Sequence, residues 1–327
     1  MNKIEKYQTL IIFLAIPVGL LFGQILIVEQ YAENFIIPFL FAMLFGVFLN
    51  IPLKDYRKAF VNVKFSSTVV LINFLWTPIL AWLLANFFFS SCPILQIGFI
   101  ILMVTPCIDW YLIFTDKAKG NVPLAASVLP ANLILQVVLL PVYLLIFAGV
   151  PGTVDMHEVF VGVAIILVLP FVLAQLGQFL LNKIQNKDSS KKIFEMSGPL
   201  QTIFLAMAIA AMFASKGDSL LANLNIIAML LIPIVLFYII TFALSQLMGK
   251  SFKYSYGDTA SLTLTTTAKN SPMMLGVVLL VFPDEPLIHL IMVVAPLIEL
   301  PAMMLITKML LMIRRRQKIN NINDYRT

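Results

Sequence analysis

The chain has 327 residues, 61% of them hydrophobic and 12% charged, with a formal net charge of +6. A soluble domain carries roughly 25% charged residues because its surface faces water; this composition excludes an ordinary soluble enzyme and turns most of the surface toward lipid. The basic excess, which in a soluble protein points to nucleic acid, is a topological signal in such a chain, and no nucleic-acid partner is implied.

The apolar runs are continuous, as in Val69 to Phe89 and Leu124 to Phe147. A β-barrel would alternate over ~10-residue segments, so the runs predict helices. Breakers divide them into ten segments, roughly 8–28, 35–52, 66–89, 94–115, 122–148, 157–182, 197–214, 221–247, 258–282 and 286–312. Each approximates the ~20 residues of one bilayer crossing. The first run is too long for a signal-peptide core and has no small-residue cleavage site. Two cysteines, Cys92 and Cys107, are too few for a disulfide framework. The predicted architecture is all-α integral membrane, one transmembrane domain over 1–327 with a basic tail at 313–327.

Charge placement tests the count. Lys3 and Lys6 precede the first segment, and Lys54, Arg57, Lys58 and Lys64 follow the second. Lys117 and Lys119 follow the fourth, Lys183, Lys187, Lys191 and Lys192 the sixth, Lys250 and Lys253 the eighth, and Arg314, Arg315, Arg316 and Lys318 the tenth. The alternate connections hold Glu29, Glu33, Asp155, Glu158, Asp218, Asp284 and Glu285, with Lys216 the exception. This bias puts both termini in the cytoplasm and the chain in the cytoplasmic (inner or plasma) membrane. Five segments per half imply opposite orientations, the arrangement of an inverted repeat: about 8–148 and about 157–312. A shift of 160 positions lays Leu140-Pro141 on Leu300-Pro301, Thr105 on Thr265 and Asp109 on Lys269.

Polar residues inside these segments default to functional candidates, because a mid-bilayer charge costs at least ~2.5–3.5 kcal/mol. Lys269 lies ~16 and ~20 Å from the two ends of the ninth segment at the helical rise. Thr263, Thr265, Thr266 and Thr267 precede it, and Asn270, Ser271 and Pro272 follow. Each threonine alone can back-bond to the preceding turn; a polar turn ending at a proline predicts a broken helix at a transport site. Pro106 predicts a second break, in Thr105-Pro106-Cys107-Ile108-Asp109-Trp110. If the two breaks cross, Asp109 and Lys269 meet as an ion pair. Glu299, between Pro296 and Pro301, is a buried carboxyl able to load and release a proton. Cys107 is either a small hydrophobe or a soft ligand. Asn132 and Gln136, one turn apart, either join this polar centre or hold helices together.

The string Thr105 to Trp110, the turn Ala118-Lys119-Gly120-Asn121, the pair Asn270-Ser271 and Pro296 to Pro301 around Glu299 resemble the bile acid:sodium symporter superfamily, most closely its arsenite-efflux branch. The resemblance covers nearly the whole chain. It implies two inverted five-helix repeats, a core of helices 3–5 and 8–10 with helices 4 and 9 broken and crossing, and a panel of helices 1, 2, 6 and 7. It implies As(III) handling by Cys107 and proton handling by Glu299. Sodium-coupled relatives carry Glu-x-x-x-Gln-Asn-Ser in the ninth helix, where this chain has Thr265 and then Lys269-Asn270-Ser271. Their fourth-helix Ser-Asn ligands fall on Tyr111 and Leu112, so sodium coupling is disfavoured. Arsenite exporters carry a more acidic stretch than Ser271-Pro272-Met273, which leaves the cargo open.

The leading expectation is a secondary transporter that exports As(III) in exchange for protons, with no cofactor and no fixed oligomeric state, a monomer sufficing. The alternative is an organic-anion carrier in which Lys269 pairs with a carboxylate. An intramembrane enzyme lacks a signature: there is no His-Glu-x-x-His and no Gly-x-Ser-x-Gly, and a lysine stands between the Asp109 and Glu299 carboxyls. An uncoupled channel is the remaining class.

Overall fold

The computed structural model describes residues 3–49, 62–108, 110–148, 156–183, 187–222 and 224–324. Regular structure among them is helical: α1 (Lys3–Gly23), α2 (Leu26–Leu49), α3 (Val63–Phe89), α4 (Pro93–Met103), α5 (Tyr111–Lys117), α6 (Val122–Ser127), α7 (Leu129–Ala148), α8 (156–183), α9 (Lys187–Ala222), α10 (Leu224–Ser251), α11 (Tyr256–Thr267), α12 (Ser271–Val281) and α13 (Pro286–Asp324). Seven helices are long and apolar enough to cross a membrane, and three shorter apolar stretches lie at Leu10–Gly23, Pro93–Met103 and Ser271–Val281. The protein is an all-α integral membrane protein.

The fourth and ninth expected segments are the broken ones. The fourth is α4 and α5 around residues 104–110, and the ninth is α11 and α12 around residues 268–270. The 160-residue shift carries Tyr111, where α5 begins, onto Ser271, where α12 begins. Several expected boundaries move. The turn after the first helix falls at Gln24–Ile25, so Leu26 to Val28 open α2, and Glu29 and Glu33 lie within α2 rather than in a connection. Helix α9 runs well past both ends of the expected 197–214, and α13 carries the basic tail onward to Asp324. Lys216, the exception to the charge pattern, meets Glu33 at 2.7 Å; the pairing of α9 with α2 neutralises it. The basic residues at 54, 57 and 58 and the acidic Asp155 lie outside the described residues.

Helices α1, α2, α8 and α9 pack as one group, and α3–α7 with α10–α13 form the other. In the first group Gly19 and Gly23 let α1 lie directly on the α9 backbone: a Cβ at Gly19 would stand 2.4 Å from the Ala210 carbonyl oxygen, and one at Gly23 2.6 Å from that of Ala214. Small residues bring membrane helices together in this way.

Proline shapes the second group. Pro78 has no N–H for the carbonyl of Phe74, and the helix opens into a π turn over Ile72–Trp76. The buried hydroxyl of Tyr143 on α7 donates to that carbonyl at 2.6 Å, supplying the missing donor and joining α7 to α3. Where α5 turns into α6, Lys119 adopts φ 58°. The Asn121 side chain caps α6 at Leu124 N (3.2 Å) and donates to Asp258 at 2.7 Å, while the Tyr256 hydroxyl donates to Ala118 O at 2.7 Å. These bonds anchor α11 to the end of the other broken helix.

Candidate functional site

Residues 104–108 and 268–270 cross as two short extended segments. Pro106 and Lys269 face each other in an antiparallel bridge. On one side Cys107 N donates to Ala268 O (3.0 Å), and on the other Asn270 N donates to Thr105 O (3.2 Å). Pro272 explains half of this exchange. It stands where the helical donor to Ala268 O would be, and the Cys107 amide takes its place. Pro272 itself sits in the first turn of α12, where its lack of an N–H is harmless.

A backbone break within the hydrophobic layer survives only if its polar groups are satisfied, and in residues 268–270 every main-chain group is. Ala268 N donates to Leu264 O (3.2 Å), and Asn270 O accepts from Met274 N (3.1 Å). Lys269 N donates to Glu299 Oε1 at 2.7 Å, and Lys269 O accepts from the Trp110 indole at 3.2 Å. The Asn270 side chain caps α12 by accepting from Met273 N at 3.2 Å. Glu299, 1% exposed, thus holds the crossing from α13.

The Lys269 side chain is also 1% exposed. Its Nζ donates to Thr266 O at 3.3 Å and lies 4.9 Å from the centre of the Phe237 ring on α10. A desolvated cation over an aromatic face is attracted by about 2 kcal/mol. Phe237 carried no sequence signal, being one apolar residue in an apolar run. Asp109 lies outside the described residues, and with it the expected ion pair. Cys107 is fully buried at the crossing, beside Lys269. Cys92, just before α4, is separated from it by the length of that helix, so the crossing presents one thiol.

The threonines divide. Thr263, Thr266 and Thr267 back-bond to Thr259, Leu262 and Thr263 respectively, and Thr266 also meets the Ser245 hydroxyl at 3.0 Å. Thr265 and Ser271 are buried with hydroxyls that find no partner among the described residues. Asn132 accepts from Asn73 of α3 at 3.3 Å, and Gln136 Nε2 approaches Met273 Sδ of α12 at 3.8 Å. The two residues therefore reach different neighbours, and both line the same interior. Asn73 was legible in principle as a lone amide in an apolar run, the signal that singled out Asn132.

Crossed half-helices meeting inside an apolar helical bundle are the arrangement of a membrane transporter. The chain belongs to the Sodium Bile acid symporter family, whose model matches residues 37–223. It is similar to the arsenical-resistance protein Acr3 of Corynebacterium glutamicum, 22% identical over 92% of this chain and 86% of that protein. A second Acr3, from Alkaliphilus metalliredigens, is 21% identical over 93% and 91%. An uncharacterized transporter of Synechocystis is 22% identical over 94% and 88%. Family and fold make the chain a membrane transporter.

Proposed function

We propose that the protein exports As(III) in exchange for protons, with both termini in the cytoplasm. The observation that carries this is the buried Cys107 thiol on the crossing strand, its backbone fixed by Ala268, in a chain similar along its length to two arsenical-resistance proteins. Arsenous acid is a neutral trihydroxide at physiological pH. Its As(III) takes the Cys107 sulfur as an S–As bond forms and one As–OH leaves as water with the thiol proton; hydrolysis reverses the step on release. Protonation of Glu299 removes the charge from its bond to Lys269 N–H, weakening the tie that holds the α11–α12 break. Proton binding and the shape of the crossing are coupled through that bond.

Sodium fits poorly. The Tyr111 phenol is buried and donates to Ala125 O at 3.0 Å, Thr265 offers no carboxylate, and the Lys269 ammonium is already in place.

A second reading, transport of an organic anion, is favoured by Lys269 beside the N-terminus of α12, where cation and helix dipole both attract a carboxylate. Arsenite tolerance separates the two. Cells lacking their own exporters should gain tolerance from this chain and lose the gain with Cys107→Ser. No gain removes As(III) as cargo; equal gain from both versions removes the thiol.

A further inference from the structure

Behind the crossing, on the side of α3 and α7, a row of side-chain amides runs through the interior of the bundle. Two contacts and one helical turn place it: Asn73 Nδ2 donates to Asn132 Oδ1 (3.3 Å), Gln136 lies one turn along α7 from Asn132, and Gln136 Nε2 approaches Met273 Sδ (3.8 Å). Met273 N is in turn capped by Asn270 Oδ1 (3.2 Å). All five residues are at most 2% exposed. Each amide spends one half on this row and leaves the other half without a partner among the described residues: Asn73 Oδ1, Asn132 Nδ2, Gln136 Oε1 and Asn270 Nδ2, joined by the Ser271 hydroxyl. Exchanging N and O jointly in Asn73 and Asn132 would still leave one acceptor and one donor. The Asn270 assignment is fixed by its cap, because only the oxygen can accept from Met273 N–H.

Native structures rarely leave buried polar atoms unpaired, since each forfeits its hydrogen bond to water. Five in one row call for an occupant. The unpaired set alternates acceptor, donor, acceptor, donor and carries no charge. The two amino groups repel a bare cation, and the two carbonyls repel an anion. What satisfies both is a neutral molecule that donates and accepts at once, and a water needs two to four such partners.

We infer that Asn73, Asn132, Gln136, Asn270 and Ser271 form a built water site inside the α3–α7–α12 bundle, a hydrogen-bonded file that ends on the N-terminus of α12 at the crossing. The site is independent of the cargo. It gives the broken helix a protic lining toward α7.

Met273 makes the site testable. Pulsed radiolytic hydroxyl labelling of the full chain in lipid nanodiscs, in 18O-water, oxidises a buried methionine only where exchangeable water touches it. Met43 and Met292 are equally buried, both at 0% exposure, and serve as dry references. Met273 is expected to gain 18O faster than both, and Asn132→Leu/Gln136→Leu is expected to abolish the difference. Met273 labelling no faster than Met43 and Met292 overturns the proposal. So does undiminished Met273 labelling in the double variant. Should the double variant fail to fold, Asn73→Leu, which removes one end of the file and keeps the Gln136–Met273 contact, is read in the same way.

Discussion

Glu299 is the residue at which structure and coupling can be separated. Its Oε1 receives the Lys269 amide at 2.7 Å in a fully buried setting. Glu299→Gln keeps an oxygen that can accept this bond and loses the charge, and with it the charge assistance in the bond. Bonds to charged groups contribute about 1.5–3 kcal/mol and neutral ones about 0.5–1.5, so the substitution costs about 1–1.5 kcal/mol. Glu299→Ala leaves the Lys269 N–H unpaired at a mid-membrane break, about 1–3 kcal/mol. Both substitutions also take a negative charge from the neighbourhood of a buried ammonium, so that cost is shared, and Ala exceeds Gln by the unpaired amide alone, about 1–3 kcal/mol. Denaturation of purified protein followed by tryptophan fluorescence should rank wild type, Gln and Ala in descending midpoint. Uptake of arsenite into inverted vesicles should respond to an imposed pH gradient in the wild type and be indifferent to it in the Gln variant. Equal midpoints for Gln and Ala would refute the structural role; gradient-driven uptake by the Gln variant would refute the proton role.

Two further outcomes concern packing. Tyr143→Phe removes the hydroxyl that donates to Phe74 O, and should cost about 1–3 kcal/mol because a buried carbonyl loses that partner; in a Pro78→Ala background, where the helix regains an N–H for that carbonyl, the same substitution should cost less, and a double-mutant cycle of unfolding midpoints reads the difference. Gly19→Val drives a side chain into the Ala210 backbone, an overpacking worth about 1–3 kcal/mol, so it should lower the midpoint, while Gly217→Val, whose nearest neighbour is the flexible end of Leu20 at 3.1 Å, should lower it less.

How far the sequence carried these conclusions depends on the range of the interaction. Continuous apolar runs and the two proline breaks are local signals, and both breaks fall where Pro106 and Pro272 announce them. Pro272 even indicates which carbonyl needs a foreign donor. The identity of that donor, Cys107 N, is set by tertiary structure and left no mark in either segment. Glu299 stood out as a carboxyl in an apolar helix; its attachment to a main-chain amide thirty residues away did not, because a backbone N–H has no side-chain code. Boundaries failed where a helix continued through polar residues. Glu29 and Glu33 read as a connection, yet Glu33 lies within α2 and serves as the partner of Lys216 on α9.

Lys269 finally discriminates between the two cargoes. Its ammonium is withdrawn from water and rests on one carbonyl and one ring. A carboxylate bound at ~4 Å, in the effective dielectric of a protein surface, gains about 4 kcal/mol, roughly a thousandfold in affinity. An anion carrier therefore depends on this charge for binding, and Lys269→Met should abolish saturable uptake of its substrate. A neutral arsenous acid gains almost nothing from the ammonium, and its hold on Cys107 does not need it. In an As(III) exporter, Lys269→Met should leave equilibrium arsenite binding to the purified protein close to wild type while changing the pH dependence of transport through its neighbour Glu299. Loss of arsenite binding in Lys269→Met would tie the cargo to the cation and shift the balance to the anion reading.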